Sequence, residues 1–240
     1  VNQHKAIIAG AAVVLVAVLG VIAYLFLGSN GRATEGGRVP GTAFERDLLV
    51  PGPLGDMAKG DPNAPVIVIE YASLTCNHCA SFANNTYPHL EKNYIETGKV
   101  YYILRDFPYD PIATAGFMLS HCAGPERYFG FVDTLFAKQP EWAFTQTPME
   151  DLKAIARQGG FSEERFDQCM KDERIFNHVK DVATRGAKEF GIRSTPTFFI
   201  NGEKVEGALS WSEFEPLVTK ALGRAASSPA AAPDQADEQE

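Results

Sequence analysis

Two continuous apolar runs, "PVIVIEYA" (65–72) and "VYYILRDF" (100–107), stand 35 residues apart in this chain, and neither has a polar side to turn towards water. Runs of β-branched and apolar residues without alternation are the pattern of strands covered on both faces. The segment between them, 76–97, closes at Gly98 and has the length of a crossover helix. Strand, helix and strand at this spacing make a βαβ unit with parallel strands.

The pattern then turns helical from 111 to 190. Pro111 suits a first helical turn, and Phe129, Val132, Leu135 and Phe136 recur at helical spacing. Thr147, Pro148 and Glu150 supply an N-cap, a proline at N1 and a capping-box acid for a helix that stops at Gly159-Gly160. Ser162 opens a short helix, and Ile175, Val179, Val182, Gly186 and Phe190 form one stripe of a longer one. Strand character resumes in "TPTFFING" and "EKVEG", joined across Asn201-Gly202 as a hairpin. A last helix starts at Ser210 with Glu213 completing its capping box, and runs to Gly223. The order is β-α-β, helical insertion, β-β-α, an α/β arrangement.

Both ends differ from this middle. Residues 6–27 carry no charge over 22 positions, enough helix to cross roughly 30 Å of hydrocarbon. The run exceeds the usual secretory core of about 7–15 residues and is followed by a poor cleavage site, "GSNGR", so it reads as a membrane anchor, with a cleaved signal sequence as the alternative. Lys5 before the span and Arg32 and Arg38 after it do not favour an outward-facing C-terminus, so the topology has to come from the cysteine chemistry. Residues 28–60, dense in Gly and Pro, read as a flexible linker in which "DLLV" is a minor edge strand. Residues 223–240 read as a disordered acidic tail, with Asp234, Asp237, Glu238 and Glu240 supplying four negatives of a net charge of −8. Nucleic acid is not an expected partner.

The chemistry lies in "SLTCNHCASF" (73–82), at the junction of the first strand and its helix. There Cys76 meets the unpaired N–H groups and the positive end of the helix dipole, which stabilise a thiolate. His78, when protonated, adds positive charge within one turn, while Cys79 faces inward as the resolving partner. Structural zinc would need a second pair of ligands that the chain lacks, and haem attachment needs a histidine where Ala80 stands. A structural disulfide across so short a loop gains little chain entropy. Redox exchange is the reading that remains.

Two neighbours fit it. Thr195-Pro196 opens the "TFFI" run, through a cis bond or as a trans proline starting an edge strand. Glu70 is the one charged residue in "VIVIEYA", placing it at an exposed strand end or as a buried proton-transfer group with a raised pKa.

Cys-x-His-Cys at a helix start after a strand, a helical insertion, and a threonine-proline before the closing hairpin resemble the thioredoxin-like DsbA family of periplasmic thiol:disulfide oxidoreductases, over about residues 61–222. "LRDFP" (104–108) is similar to the stretch that leads into that family's helical domain. The resemblance implies that Cys76 is the nucleophile and Cys79 the resolving thiol. It also implies that Pro196 is a cis-proline facing the pair, that Thr195 contacts substrate backbone, and that Glu70 serves Cys79. His78 matches the histidine of the oxidising branch. Asn77 and Thr195 depart from the strongest oxidants, so an isomerase or reductase is the alternative to a disulfide donor. A thiol metal-binding chaperone is the rival from another class.

Cys122 and Cys169, on apolar helical faces, pair with each other or stay free; an oxidising compartment favours the pair, and a second pair occurs in some relatives. His89, His121 and His178 share no spacing and read as surface or helix-face residues. "YFGFVDTLF" reads as core.

The expectation is a bacterial inner-membrane protein whose catalytic domain lies in the periplasm, held to the bilayer through 6–27, or released there if that segment is cleaved. It would need no cofactor or metal beyond the Cys76-Cys79 disulfide. Its partners would be unfolded or partly folded exported proteins and a membrane redox protein that recycles the pair.

Overall fold

The computed structural model describes residues 41–227. The anchor expected at 6–27, the linker as far as 40 and the tail from 228 lie outside the described residues. Among those described, no helix is long and apolar enough to cross a membrane.

Five strands form one sheet in the order β1 (Met57–Lys59), β3 (Val100–Asp106), β2 (Val66–Ala72), β4 (Thr197–Ile200), β5 (Glu203–Glu206). β2 and β3 run parallel with Val66 opposite Val100 and Ala72 opposite Asp106, which is the expected βαβ pairing. β4 returns antiparallel to β2, and β5 closes the hairpin. The hairpin turn puts Asn201 at φ 48° and Gly202 at φ 82°, the left-handed pair that a two-residue turn requires. Asn201 also prolongs the ladder: its Oδ1 accepts from the Ile67 N–H at 2.8 Å.

Alternation along β2 sends Val66, Val68 and Ala72 into a large core beneath the helices, and Ile69 and Tyr71 into a smaller one with Leu48, Val182, Phe190 and Phe199. The crossover is α2 (Asn77–Asn85), α3 (Tyr87–Leu90) and a wide turn, Glu91–Ile95. The single helix expected here breaks at Thr86 because Pro88 has no N–H to continue the ladder. The insertion holds α4 (Pro111–Cys122), α5 (Pro125–Ala137), α6 (Gln139–Trp142), α7 (Pro148–Gln158), α8 (Glu163–Cys169) and α9 (Glu173–Glu189). Thr147 makes no side-chain cap to α7, and Asp151 instead accepts from the Thr145 hydroxyl at 2.5 Å.

Two expectations at the ends need correction. Residues 41–60 are not a flexible linker throughout: Ala43–Leu48 forms helix α1, β1 adds to the sheet, and "DLLV" spans the end of α1 rather than an edge strand. At the other end α10 (Trp211–Ser227) runs past Gly223, so the acidic tail does not begin there.

Buried Arg105 explains the first correction. Its five N–H groups make five bonds: to Leu48 O (2.8 Å), Val50 O (3.2 Å), Tyr71 Oη (2.9 Å) and both Asp56 oxygens (3.1 and 2.8 Å). Arg185 adds bonds to Asp47 O and Val50 O. Removing Arg105 leaves Asp56 and the Leu48 carbonyl unpaired near the sheet, with the Val50 carbonyl held by Arg185 alone. Arg105→Leu is expected to lower the unfolding free energy by about 3–5 kcal/mol and to open 47–56 to proteolysis; urea titration and limited digestion measure both.

Candidate active site

β2 ends at Ala72, and Cys76 becomes the N-cap of α2 with φ −83° and ψ 117°. Its Sγ accepts from the Cys79 N–H at 3.4 Å, taking the place of the oxygen that usually caps a helix. Both thiols are free, with Cys76 8% exposed and Cys79 fully enclosed. The Thr195-Pro196 bond is cis, and Thr195 O lies 3.3 Å from Cys76 Sγ.

The two sulfurs are driven in opposite directions. The Cys76 thiol falls from 9.0 to about 5. The hydrogen bond from the Cys79 thiol is the largest cause; burial opposes it, and the Thr195 hydroxyl and the N–H groups of Cys79 and His78 add to the lowering. The Thr195 hydroxyl is buried and has no hydrogen-bond partner among the described residues. Burial above all, then the neighbouring Cys76 and the Glu70 charge, push the Cys79 thiol far above the ordinary range.

Glu70 shares the face of β2 that carries Val68 and Ala72. It is 2% exposed, so of its two expected placements the structure has the buried one. The Tyr102 hydroxyl donates to its Oε2 at 2.5 Å. Burial raises the carboxyl from 4.5 to about 8, against the pull of the Tyr102 bond and with a push from Cys76.

A thiol of lowered pKa, a sealed thiol, a buried acid and a cis-proline thus meet at one end of β2. Residues 54–220 match the family model described as Thioredoxin. The solved structure of α-DsbA1 from Wolbachia pipientis superposes with a TM-score of 0.70 at 34% identity, covering 76% of this chain and 98% of that one. The chain belongs to the DsbA-like family of thiol:disulfide oxidoreductases.

Curated DsbA-like relatives include chains named as protein-disulfide oxidoreductases from Rickettsia typhi (33% identical over 152 residues, 63% of this chain and 56% of that one) and Rickettsia prowazekii (32% over 168 residues, 70% and 61%). The chain therefore spans about 56–61% of the length of these relatives. BdbD from Bacillus subtilis, at 21% identity and a TM-score of 0.64, shares the fold over 72% of this chain and 96% of that one.

In this DsbA-like site the His78 ring is exposed, and its part in lowering Cys76 comes through its backbone N–H. Cys122 and Cys169 are joined by a disulfide of 2.03 Å between α4 and α8, outside the dithiol centre. Sequence reading missed the residues that hold the loop. Buried Gln139 donates to Leu74 O (2.8 Å) and Cys76 O (3.1 Å). Asp110 caps α4 through Ala113 N and accepts from the Thr75 hydroxyl at 2.6 Å. The start of α4 is thereby tied to the residue before Cys76.

Of the two placements expected for His121 and His178, surface or helix face, both take a helix face, and a buried one. Asp106, at the end of β3, accepts from His121 Nε2 at 2.7 Å and from the Tyr128 hydroxyl at 2.9 Å, with His178 Nε2 at 4.0 Å. Among the described residues this is the one trio close enough to ligate a metal. The His178 Nδ1, however, accepts from the Leu54 N–H at 3.1 Å. A metal at Nε2 would leave that ring with no proton, so the trio is a hydrogen-bonded network anchoring the 50–56 strap. Gly52 belongs to that strap, where a Cβ would stand 2.6 Å from the His178 ring.

The reduced protein should alkylate at Cys76 with a titration midpoint near pH 5, and at Cys79 only after unfolding; iodoacetamide rates with peptide mapping report both. Since the folded pKa lies below the unfolded one, the thiolate stabilises the fold above pH 9, and that contribution is lost as pH falls to about 5. Urea curves of the reduced protein should show the loss, and those of the oxidised protein should lack it.

Proposed function

We propose that the chain is an envelope disulfide donor, exchanging a Cys76-Cys79 disulfide with the thiols of exported proteins. The observation that carries this reading is the split between the thiols. A stabilised Cys76 thiolate lowers the free energy of the reduced pair and so makes the disulfide a stronger oxidant. At pH 7 and a pKa of about 5, thiolate outweighs thiol by about a hundredfold, worth about 3 kcal/mol or roughly 60 mV.

A substrate thiolate attacks Cys76 Sγ, the S–S bond between Cys76 and Cys79 breaks, and Cys79 leaves with the electron pair and takes up a proton. Glu70, its carboxyl pKa raised by burial above the ordinary range, is the acid we assign to supply it. A second substrate thiolate then displaces Cys76 from the mixed disulfide. The substrate leaves oxidised by two electrons, and the dithiol remains to be recharged by a redox partner. Thr195, beside the Cys76 sulfur, is placed to meet the substrate backbone.

Location is part of the proposal. A disulfide donor works where thiols are oxidised, so the catalytic domain belongs on the periplasmic side, tethered by 6–27 or released by its cleavage. The cysteine chemistry supports that topology, and the Cys122-Cys169 bond accords with the same compartment. A metal chaperone reading is disfavoured because two-thiolate ligation would require charging the sealed Cys79.

The reduction potential of the pair, equilibrated against glutathione with Cys122-Cys169 intact, should lie above about −200 mV, towards the −120 mV of strong oxidants. A value between about −200 and −270 mV would make the protein an isomerase or reductase, and one below about −300 mV would make the pair structural.

A further inference from the structure

As the acid and base proposed for Cys79, Glu70 has to exchange its proton with water, yet it is only 2% exposed. It lines a small cavity of about 10 Å³ between the sheet and α5, whose wall also includes Tyr102, Tyr87 and Asp133. That volume is about the least that admits one water molecule. Asp133, on α5, lines the same cavity and is exposed to solvent as a residue, with its carboxyl partly desolvated. That shielding raises its pKa; Lys59 opposes the rise and Glu91 supports it. Phe129, Val132 and Phe136 make the rest of the α5 wall apolar, so the polar groups lining the way out from Glu70 are Tyr102, Tyr87 and, on α5, Asp133.

We propose that Asp133 is the outer station of a proton route that serves Glu70 through this cavity. The inference rests on Glu70 acting as the acid and base of Cys79. When the reduced pair is reoxidised through a mixed disulfide on Cys76, the Cys79 thiol gives its proton to the Glu70 carboxylate and attacks Cys76 Sγ. The Cys76-Cys79 bond forms, the bond from Cys76 to its partner breaks, and the partner leaves as a thiolate with the electron pair. Glu70 then passes the proton through the cavity water to Asp133 and to solvent. In the donor direction the proton travels inward. The charged or titratable groups facing the route are Cys76 and Cys79 on α2, Tyr87 on α3 with Glu91 just after it, Tyr102 on β3, and Lys59 on β1, paired with Glu91 at 2.5 Å.

The test is stopped-flow reaction of the reduced protein with 5,5′-dithiobis(2-nitrobenzoate) from pH 6 to 9. The first released thionitrobenzoate reports attack by Cys76, and the second reports attack by Cys79. Asp133→Asn should leave the first phase unchanged and slow the second about three- to tenfold near pH 7, a modest share of general acid–base catalysis. The pH midpoint of that phase should shift, its solvent deuterium isotope effect should rise, and Asp133→Glu should restore the parental rate. A second phase that superimposes on the parent's in both solvents overturns the route. Glu70→Gln in the same assay separates the two readings: slowing there but not in Asp133→Asn removes the route alone, and no slowing in either removes Glu70 from the mechanism.

Discussion

β2 has no face turned to solvent, and that constraint organises the rest of the molecule. Helices have to cover both sides of the sheet, so the chain supplies α2, α5 and α10 to one core and α1 and α9 to the other. Polar chemistry is displaced to the end of the strand, where Ala72 gives way to the loop carrying Cys76. The exception within the strand is Glu70, and its cost shows as a carboxyl raised to about 8. A group so placed stays protonated over most of the neutral range while lying within electrostatic reach of both sulfurs.

The difference between the cysteines is one of position, since the two side chains are identical. Cys76 stands at the cap, where a helix has N–H groups to spare. Cys79, one turn in, has its own N–H committed to the Cys76 sulfur and its thiol enclosed. A charge added at the first site is welcomed by donors, and one added at the second meets desolvation and two negative neighbours. Spacing of three residues is what places one sulfur at the helix mouth and the other under it.

Much of this was legible because it rests on local rules. Apolar runs without alternation marked β2 and β3, Asn201-Gly202 marked the hairpin, and Cys76 through Cys79 marked the start of α2. What could not be read depended on pairings distant in sequence. The 41–60 stretch looks like a linker because its Gly and Pro residues break local order; it is held by Arg105 and Arg185, cations that in sequence are indistinguishable from surface charges. His121 and His178 likewise meet only because α4 and α9 converge on Asp106. Gln139 had no signal at all: a lone glutamine acquires meaning only from the Leu74 and Cys76 carbonyls opposite it. The break at Thr86 was within reach, since Pro88 announces it.

Charge in the centre is effectively exclusive. In the reduced pair the negative charge resides on Cys76, and it is one of the causes that raise Glu70. Forming the disulfide removes that charge, so the Glu70 pKa falls on oxidation and climbs again on reduction. Glu70 therefore holds its proton more firmly beside the reduced pair than beside the disulfide. Burial sets most of the acid's affinity for its proton, and the Cys76 charge adds a redox-dependent part that needs no movement of the backbone.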